Sequence, residues 1–336
     1  MDMYLNYINN FRGLAIIFIV AIHVVSASIL DWSQNNEIKQ FLYTFLTHSS
    51  SYFIFLAGFL FQHLAYKFNF KKYALTKLKY IVLPYLLVSI PAILEELFIS
   101  TEGYFHAYLL YQQVFLYYVT GIHMAHFWFA PVVILFYVCA PILIWLDRHA
   151  KIYWLLPILI LVSMYVPREI SPLHNPFQSF VHYFSIYLFG MYLSHYKQEI
   201  IPYLARYCWL LFVLFLSLYL AEIYITTQLK WFNYVNSVQV LKVTIGSAFI
   251  VALFYRFDHY LKKSLNFLAE PSFGIYFLHN YFIVLFEIIV RKLDWHISGN
   301  LFSFVIMVIL LTAASYTFLW VTKKIFGRNS RMLVGY

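Results

Sequence analysis

The stretch NFRGLAIIFIVAIH, residues 10–23, decides how the rest of the chain is read. The ten residues between Arg12 and His23 carry no polar side chain, and the apolar run continues to residue 30. About 20 such residues cross a bilayer as a helix. An arginine at a helix centre costs about 2.5–3.5 kcal/mol on insertion scales, so an ionisable residue in a span is a functional candidate by default. Arg12 and His23 are eleven residues apart, about three turns, which puts them on nearly the same face and about 16 Å apart along the axis. Arg12 is either snorkelling to lipid phosphate or holding an anionic ligand. His23 is either a satisfied interhelical hydrogen bond or a reactive group.

Composition supports the membrane reading. The chain has 336 residues, 63% hydrophobic and 11% charged, where ordinary globular domains hold about 45–50% and about 25%. A soluble enzyme, a disordered protein and a collagen-like chain are excluded, leaving an all-α polytopic bundle forming one domain over residues 1–336. Ten apolar runs are predicted near 11–30, 41–62, 80–99, 126–146, 152–167, 178–195, 207–225, 237–255, 272–290 and 301–322. The fifth is short and bounded by Pro157 and Pro167. Residues 104–120, interrupted by Gln112 and Gln113, read as an interfacial or re-entrant helix on the outer side. With Arg12 inside the first run and no small-residue cleavage site before Asp31, no cleavable signal peptide is expected. Only 10 Gly are present, so close small-residue crossings should be few. Cys139 and Cys208 lie in apolar runs and read as buried thiols.

Charge sets the orientation. Of the 23 lysines and arginines, 17 fall on segments 1–12, 63–79, 147–151, 196–206, 256–263 and 323–336. The other six are Lys39, Arg168, Lys230, Lys242, Arg291 and Lys292, assigned to the outer side or to outer helix ends. The positive-inside bias therefore places both termini in the cytoplasm. It also accounts for most of the net charge of +9.

Three more elements carry candidate chemistry. In KKYALTKLKYIVLPY (71–85), Lys71, Lys72, Lys77 and Lys79 precede Pro84–Tyr85. This is either an ordinary cytoplasmic loop or an electropositive mouth for a phosphorylated ligand. Lys77 and Lys79 cannot share a helical face, so at most one should point inward. In AHFWFA (125–130), Trp128 is either a belt anchor or, with His126, a sugar-binding pair that could also order a catalytic histidine. In SFGIYFLH (272–279), Ser272, Tyr276 and His279 form one helical stripe, with Glu287 further along it. Such a stripe faces protein or a water-filled cavity. The sequence has no HxxxH, HExxH or Cys pair, so no metal is expected. It has no P-loop, GxGxxG or GxSxG element. The basic residues are scattered among short loops, which argues against nucleic acid. The paired broken helices of a secondary transporter are not seen.

Taken together, these residues resemble the acyltransferase-3 family of integral membrane acyltransferases. The likeness rests on the Arg12–ten residues–His23 signature, AGFLF (57–61), TKLKYIVLPY (76–85), HFWF (126–129) and the Ser272…Tyr276…His279 element, in the family's order across nearly the whole chain. Two departures stand out. Ala57 precedes Gly58 where the family often has Ser, and Lys77 and Lys79 replace arginines, keeping charge but losing the bidentate fork. No attached periplasmic hydrolase-like domain is expected after the last span, which makes the chain look like the family's stand-alone form. The chain is similar to bacterial surface-glycan modifiers, including the intercellular-adhesion polysaccharide type.

The resemblance implies transfer of an acyl group, most often acetyl, from cytosolic acyl-CoA to a hydroxyl of a surface or lipid-linked glycan across the bacterial cytoplasmic membrane. Arg12, Lys72, Lys77 and Lys79 would hold the phosphates of CoA. His23, with Arg12 as its catalytic partner, would act as general base or be acylated itself. His126, Trp128, Tyr276 and His279 would bind acceptor or orient His23. The expected partners are acyl-CoA, the glycan and membrane lipids. A glycan or lipid-linked-sugar exporter without acyl transfer is the alternative.

Overall fold

Helix follows helix because long apolar stretches in a bilayer must satisfy their own backbone groups, which a helix does within one segment. The computed structural model describes residues 5–100, 103–168, 175–229, 232–261 and 264–336. In order, the helices are α1 Asn6–Ser26, α2 Asn36–Leu46, α3 Ser49–His63, α4 Phe70–Lys77, α5 Leu83–Phe98, α6 Leu110–Thr120, α7 Phe129–Val138, α8 Ala140–Arg148 and α9 Leu156–Tyr165. They continue with α10 Pro176–His195, α11 Lys197–Arg206, α12 Cys208–Tyr224, α13 Phe232–Arg256, α14 Asp258–Leu261, α15 Asn266–Ala269, α16 Ser272–Lys292, α17 Leu301–Phe326 and α18 Ser330–Leu333. Among the described residues there is no strand, only an isolated parallel bridge between Asp31 and Ser298. Local chemistry sets several boundaries. Asn175 caps α10 with Pro176 in its first turn, Asn300 and Ser303 cap α17 reciprocally, and Gly121 ends α6 at φ 69°.

Each of the ten predicted runs contains helix. Among the described residues, seven helical stretches are long and apolar enough to cross a membrane: Asn6–Ser26, Asn36–His63, Phe70–Phe98, Cys208–Leu229, Val235–Arg256, Ser272–Lys292 and Leu301–Leu333. The fourth run adds an eighth if α7 and α8, bent by 57°, make one span. The bend falls where Pro141 lacks the N–H that would reach the Tyr137 carbonyl. α9 has only 10 residues. α10 has 20, but hydroxyls and an imidazole lower its hydropathy. Its Ser179, His182, Ser185 and Ser194 are buried against protein, not lipid. Run 41–62 is two helices, broken at His48, whose φ of 66° no helix accommodates.

The core is shared by α1, α3, α7, α10 and α16, while Leu210, Val213, Phe302 and Ile309 are exposed on outer faces, as a lipid-facing surface requires. One close crossing organises the inside. A Cβ on Gly58 would lie 2.0 Å from the Tyr187 carbonyl oxygen, and one on Gly190 would lie 2.1 Å from that of Phe55. The backbones of α3 and α10 therefore touch, which only small residues permit. This gives the AGFLF element a packing role. Near the ends of α3, α8 and α10, Asp147 accepts from the Tyr153 hydroxyl at 2.5 Å, His195 Nδ1 at 2.8 Å and Gln62 Nε2 at 3.4 Å.

Lys242 corrects the sequence reading. It is no outer-end charge, because it lies buried within α13 with Nζ 2.6 Å from Glu222 Oε2 on α12 and 2.7 Å from the Thr44 carbonyl oxygen. Gln239 Nε2 donates to Glu222 Oε1 at 2.8 Å. The pairing joins residues 20 apart on different helices, which no local pattern shows. Lys242→Met should cost about 3–5 kcal/mol by leaving Glu222 buried and unpaired. Adding Glu222→Gln should recover most of the loss. Denaturant unfolding in detergent checks this, and an unchanged single variant would contradict it.

Candidate functional site

Two helices distant in sequence frame the site. α1 and α16 run parallel, with Arg12 Nη2 donating to Ser272 Oγ at 3.2 Å at one end. Further along, the His23 and His279 rings are 5.1 Å apart. Beyond these, the Ser28 N–H and hydroxyl both donate to Glu287 Oε1 at 2.7 Å. The stripe Ser272, Tyr276, His279 and Glu287 thus faces α1 or the histidines. The Ser272 hydroxyl donates to the Ala269 carbonyl at 2.8 Å, so its oxygen is free to accept from Arg12.

The Arg12 end is cationic. Pro84 cannot donate to the Tyr80 carbonyl, and the turn before it widens into a π-helix, Leu78–Val82, in which Leu83 N–H bonds Leu78 O. The two lysines flanking Leu78 diverge. Lys77 is half-buried, its Nζ 4.5 Å from the centre of the Tyr137 ring and 5.2 Å from that of Tyr73. Lys79 is exposed and lies over Tyr80. Lys72 and Lys79, with Lys71, line an open groove of about 380 Å³ that also includes Asn69, Leu75, Thr76 and Tyr80. Arg331, counted in sequence among cytoplasmic tail charges, lies within electrostatic reach of both Arg12 and Lys77.

The His23 end is built of imidazoles. The His126 ring is 6.0 Å from that of His23 and 4.6 Å from that of His279. His126 sits in the turn before α7. The Tyr276 hydroxyl donates to the His126 carbonyl, and Tyr85 packs on Phe127 at 5.8 Å while donating to the Tyr118 carbonyl at 2.8 Å. The Pro-Tyr element therefore holds the histidine loop. His279 Nδ1 donates to the carbonyls of Tyr276 at 2.8 Å and Ile275 at 3.1 Å, which leaves Nε2 as a lone-pair acceptor. That Nε2 and both ring nitrogens of His126 are buried without a hydrogen-bond partner, whereas His23 is half-buried. Buried polar atoms are usually paired, and here three unpaired ring nitrogens lie together, two on His126 and one on His279. Among the described residues no group of His, Cys, Asp or Glu is arranged to hold a metal ion.

Trp128 is not a belt anchor. It is 6% exposed, stacked on Tyr183 at 5.6 Å and 22°, with the Arg168 guanidinium 4.0 Å from its ring centre. All the predicted site residues therefore fall into two groups: Arg12, Lys72, Lys77 and Lys79 at one end, and His23, His126, Trp128, Tyr276 and His279 at the other. Sequence reading gave no site role to Arg168, which packs on Trp128, or to Arg331, which packs on Tyr80. In nitrogen-15 spectra of histidine-labelled protein, His279 should be the Nδ1–H tautomer at neutral pH. An Nε2–H signal for His279 would contradict the assignment.

Residues 5–320 match the acyltransferase-3 family, described as an acyltransferase domain. No curated protein and no solved structure matches the chain.

Proposed function

The chain belongs to the acyltransferase-3 family and is a membrane acyltransferase, and we propose that it moves an acetyl group from cytosolic acyl-CoA to a hydroxyl of a surface or lipid-linked glycan. The family assigns acyl transfer, so an exporter without it is not carried forward. The observation that carries the reading is the division of the α1–α16 pair. Cations gather around Arg12 and imidazoles around His23, about 16 Å further along the helix. An extended pantetheine arm spans that interval while its phosphates stay at the entrance. The charge bias, with both termini cytoplasmic, puts the cationic end toward the cytosol of a bacterial cell and the histidines toward the far side.

In this reading neutral His23 takes the proton of the acceptor hydroxyl as its oxygen attacks the thioester carbonyl carbon. The C–S bond breaks, and the CoA thiolate leaves with the proton that His23 received. His279 and His126 present buried ring nitrogens beside His23 and serve to orient it or to hold the acceptor, and Tyr276 fixes the His126 backbone. Trp128, its ring engaged with Tyr183 and Arg168, contributes to acceptor binding by holding Arg168. An acyl-histidine route would use the same residues in two steps.

His23→Ala should lower acyl transfer by at least about 100-fold, the scale of a lost general base, with the protein still folded in the membrane. Retained activity would overturn the assignment. Acid-quenched reactions with radiolabelled acyl-CoA should leave no label on the protein, and a label lost in His23→Ala would establish the acyl-histidine route instead. Arg12→Gln should weaken CoA binding about tenfold, as loss of a charge-assisted phosphate contact does. Titration calorimetry reads this, and an unchanged affinity would remove Arg12 from the phosphate site.

A further inference from the structure

The chain beyond residue 320 lies outside the family match, yet it folds back into the cationic end of the site. After α17 the chain turns at Gly327, φ 55°, and α18 packs on α5 and on the π-turn that orients Lys77. The return is anchored at several points. Ser330 Oγ donates to the Tyr336 carbonyl. The Val334 carbonyl oxygen lies 3.0 Å from where a Cβ on Gly274 would sit, two residues from Ser272. Lys323 Nζ stands 4.0 Å from the Tyr336 ring centre and bonds Glu270 at 3.1 Å.

This fold-back brings in Arg331. Its guanidinium lies 4.6 Å from the Tyr80 ring centre, and Tyr80 also lines the lysine groove. Arg331 therefore sits at the π-turn that follows Lys77, and Arg12, Lys77 and Arg331, from three separate segments, lie within electrostatic reach of one another. Glu270 is the acid within reach of Arg12, and Lys323 already engages it. Among the described residues none of the three cations has a carboxylate within ion-pair distance. Like charges gathered without a counter-charge repel one another, and a multivalent anion relieves that repulsion.

We propose that the C-terminal segment 327–336 is part of the acyl-donor site, with Arg331 binding a phosphate group of the donor. This rests on the reading of the donor as acyl-CoA. Arg331 supplies the planar fork that Lys77 and Lys79 lack. It stands at the junction between the inner cations and the open groove, where the nucleotide end of the donor enters.

The test uses the full chain in nanodiscs of zwitterionic lipid, titrated with CoA and with pantetheine, which lacks the nucleotide phosphates. Arg331→Gln should weaken CoA binding about tenfold and leave pantetheine binding unchanged, which also shows that the variant is folded. Arg331→Lys should restore part of the loss. Unaltered CoA affinity in Arg331→Gln, or equal losses for CoA and pantetheine, would overturn the proposal. So would a loss confined to anionic vesicles, since that would assign Arg331 to lipid headgroups. Wild-type protein that binds no CoA would instead overturn the donor reading itself.

Discussion

The parallel seating of α1 on α16 is the constraint on which the site depends. Three polar contacts fix its register: Arg12 on Ser272, His23 beside His279, and, just past the end of α1, Ser28 on Glu287. Because each helix is rigid, fixing these points fixes the distance between the cationic and imidazole ends. Neighbouring elements then supply the remaining groups. The π-turn before Pro84 turns Lys77 inward, Tyr85 and Tyr276 hold the loop that carries His126, and the tail brings Arg331.

Burying charge in a low-dielectric medium separates scaffold from site. At two places away from the site the rule is that a buried ionisable group is paired. Lys242 has Glu222 and the Thr44 carbonyl, and Asp147 accepts from three side chains. The site residues break that rule. Arg12 and Lys77 have a hydroxyl and aromatic rings in place of carboxylates, and His126 and His279 keep buried nitrogens unbonded. Such unmet demands are costly unless a ligand meets them. Their grouping at two places along one helix pair is what gives the molecule a direction.

Much of this was legible in the sequence because membrane physics acts locally. Apolar run length found the helices, and the Ser272–Tyr276–His279 spacing put those side chains on one face before any partner was known. The orientation reading made the first and ninth runs cross in the same sense, as the parallel α1 and α16 do. What stayed hidden depends on partners remote in sequence. Lys242 resembled a loop charge because Glu222 lies on another helix. Trp128 resembled a belt residue because Tyr183 and Arg168 cover it only after folding. Arg331 looked like one more positive-inside charge, and Gly58 and Gly190 gave no sign that their backbones meet. The run at 178–195 does mark α10, but does not show that its serines and His182 are buried in protein, where they lower its hydropathy.

The account stands on sidedness: donor entry at the cations, chemistry at the histidines. Sealed vesicles with the protein inserted in one orientation test it directly, with membrane-impermeant acyl-CoA on one side and a glycan acceptor on the other. Acyl transfer should occur when acyl-CoA is on the side of Lys71 and Lys72 and the acceptor on the side of His23. Transfer that requires both substrates on the same side, or acyl-CoA on the side of His23, would contradict it.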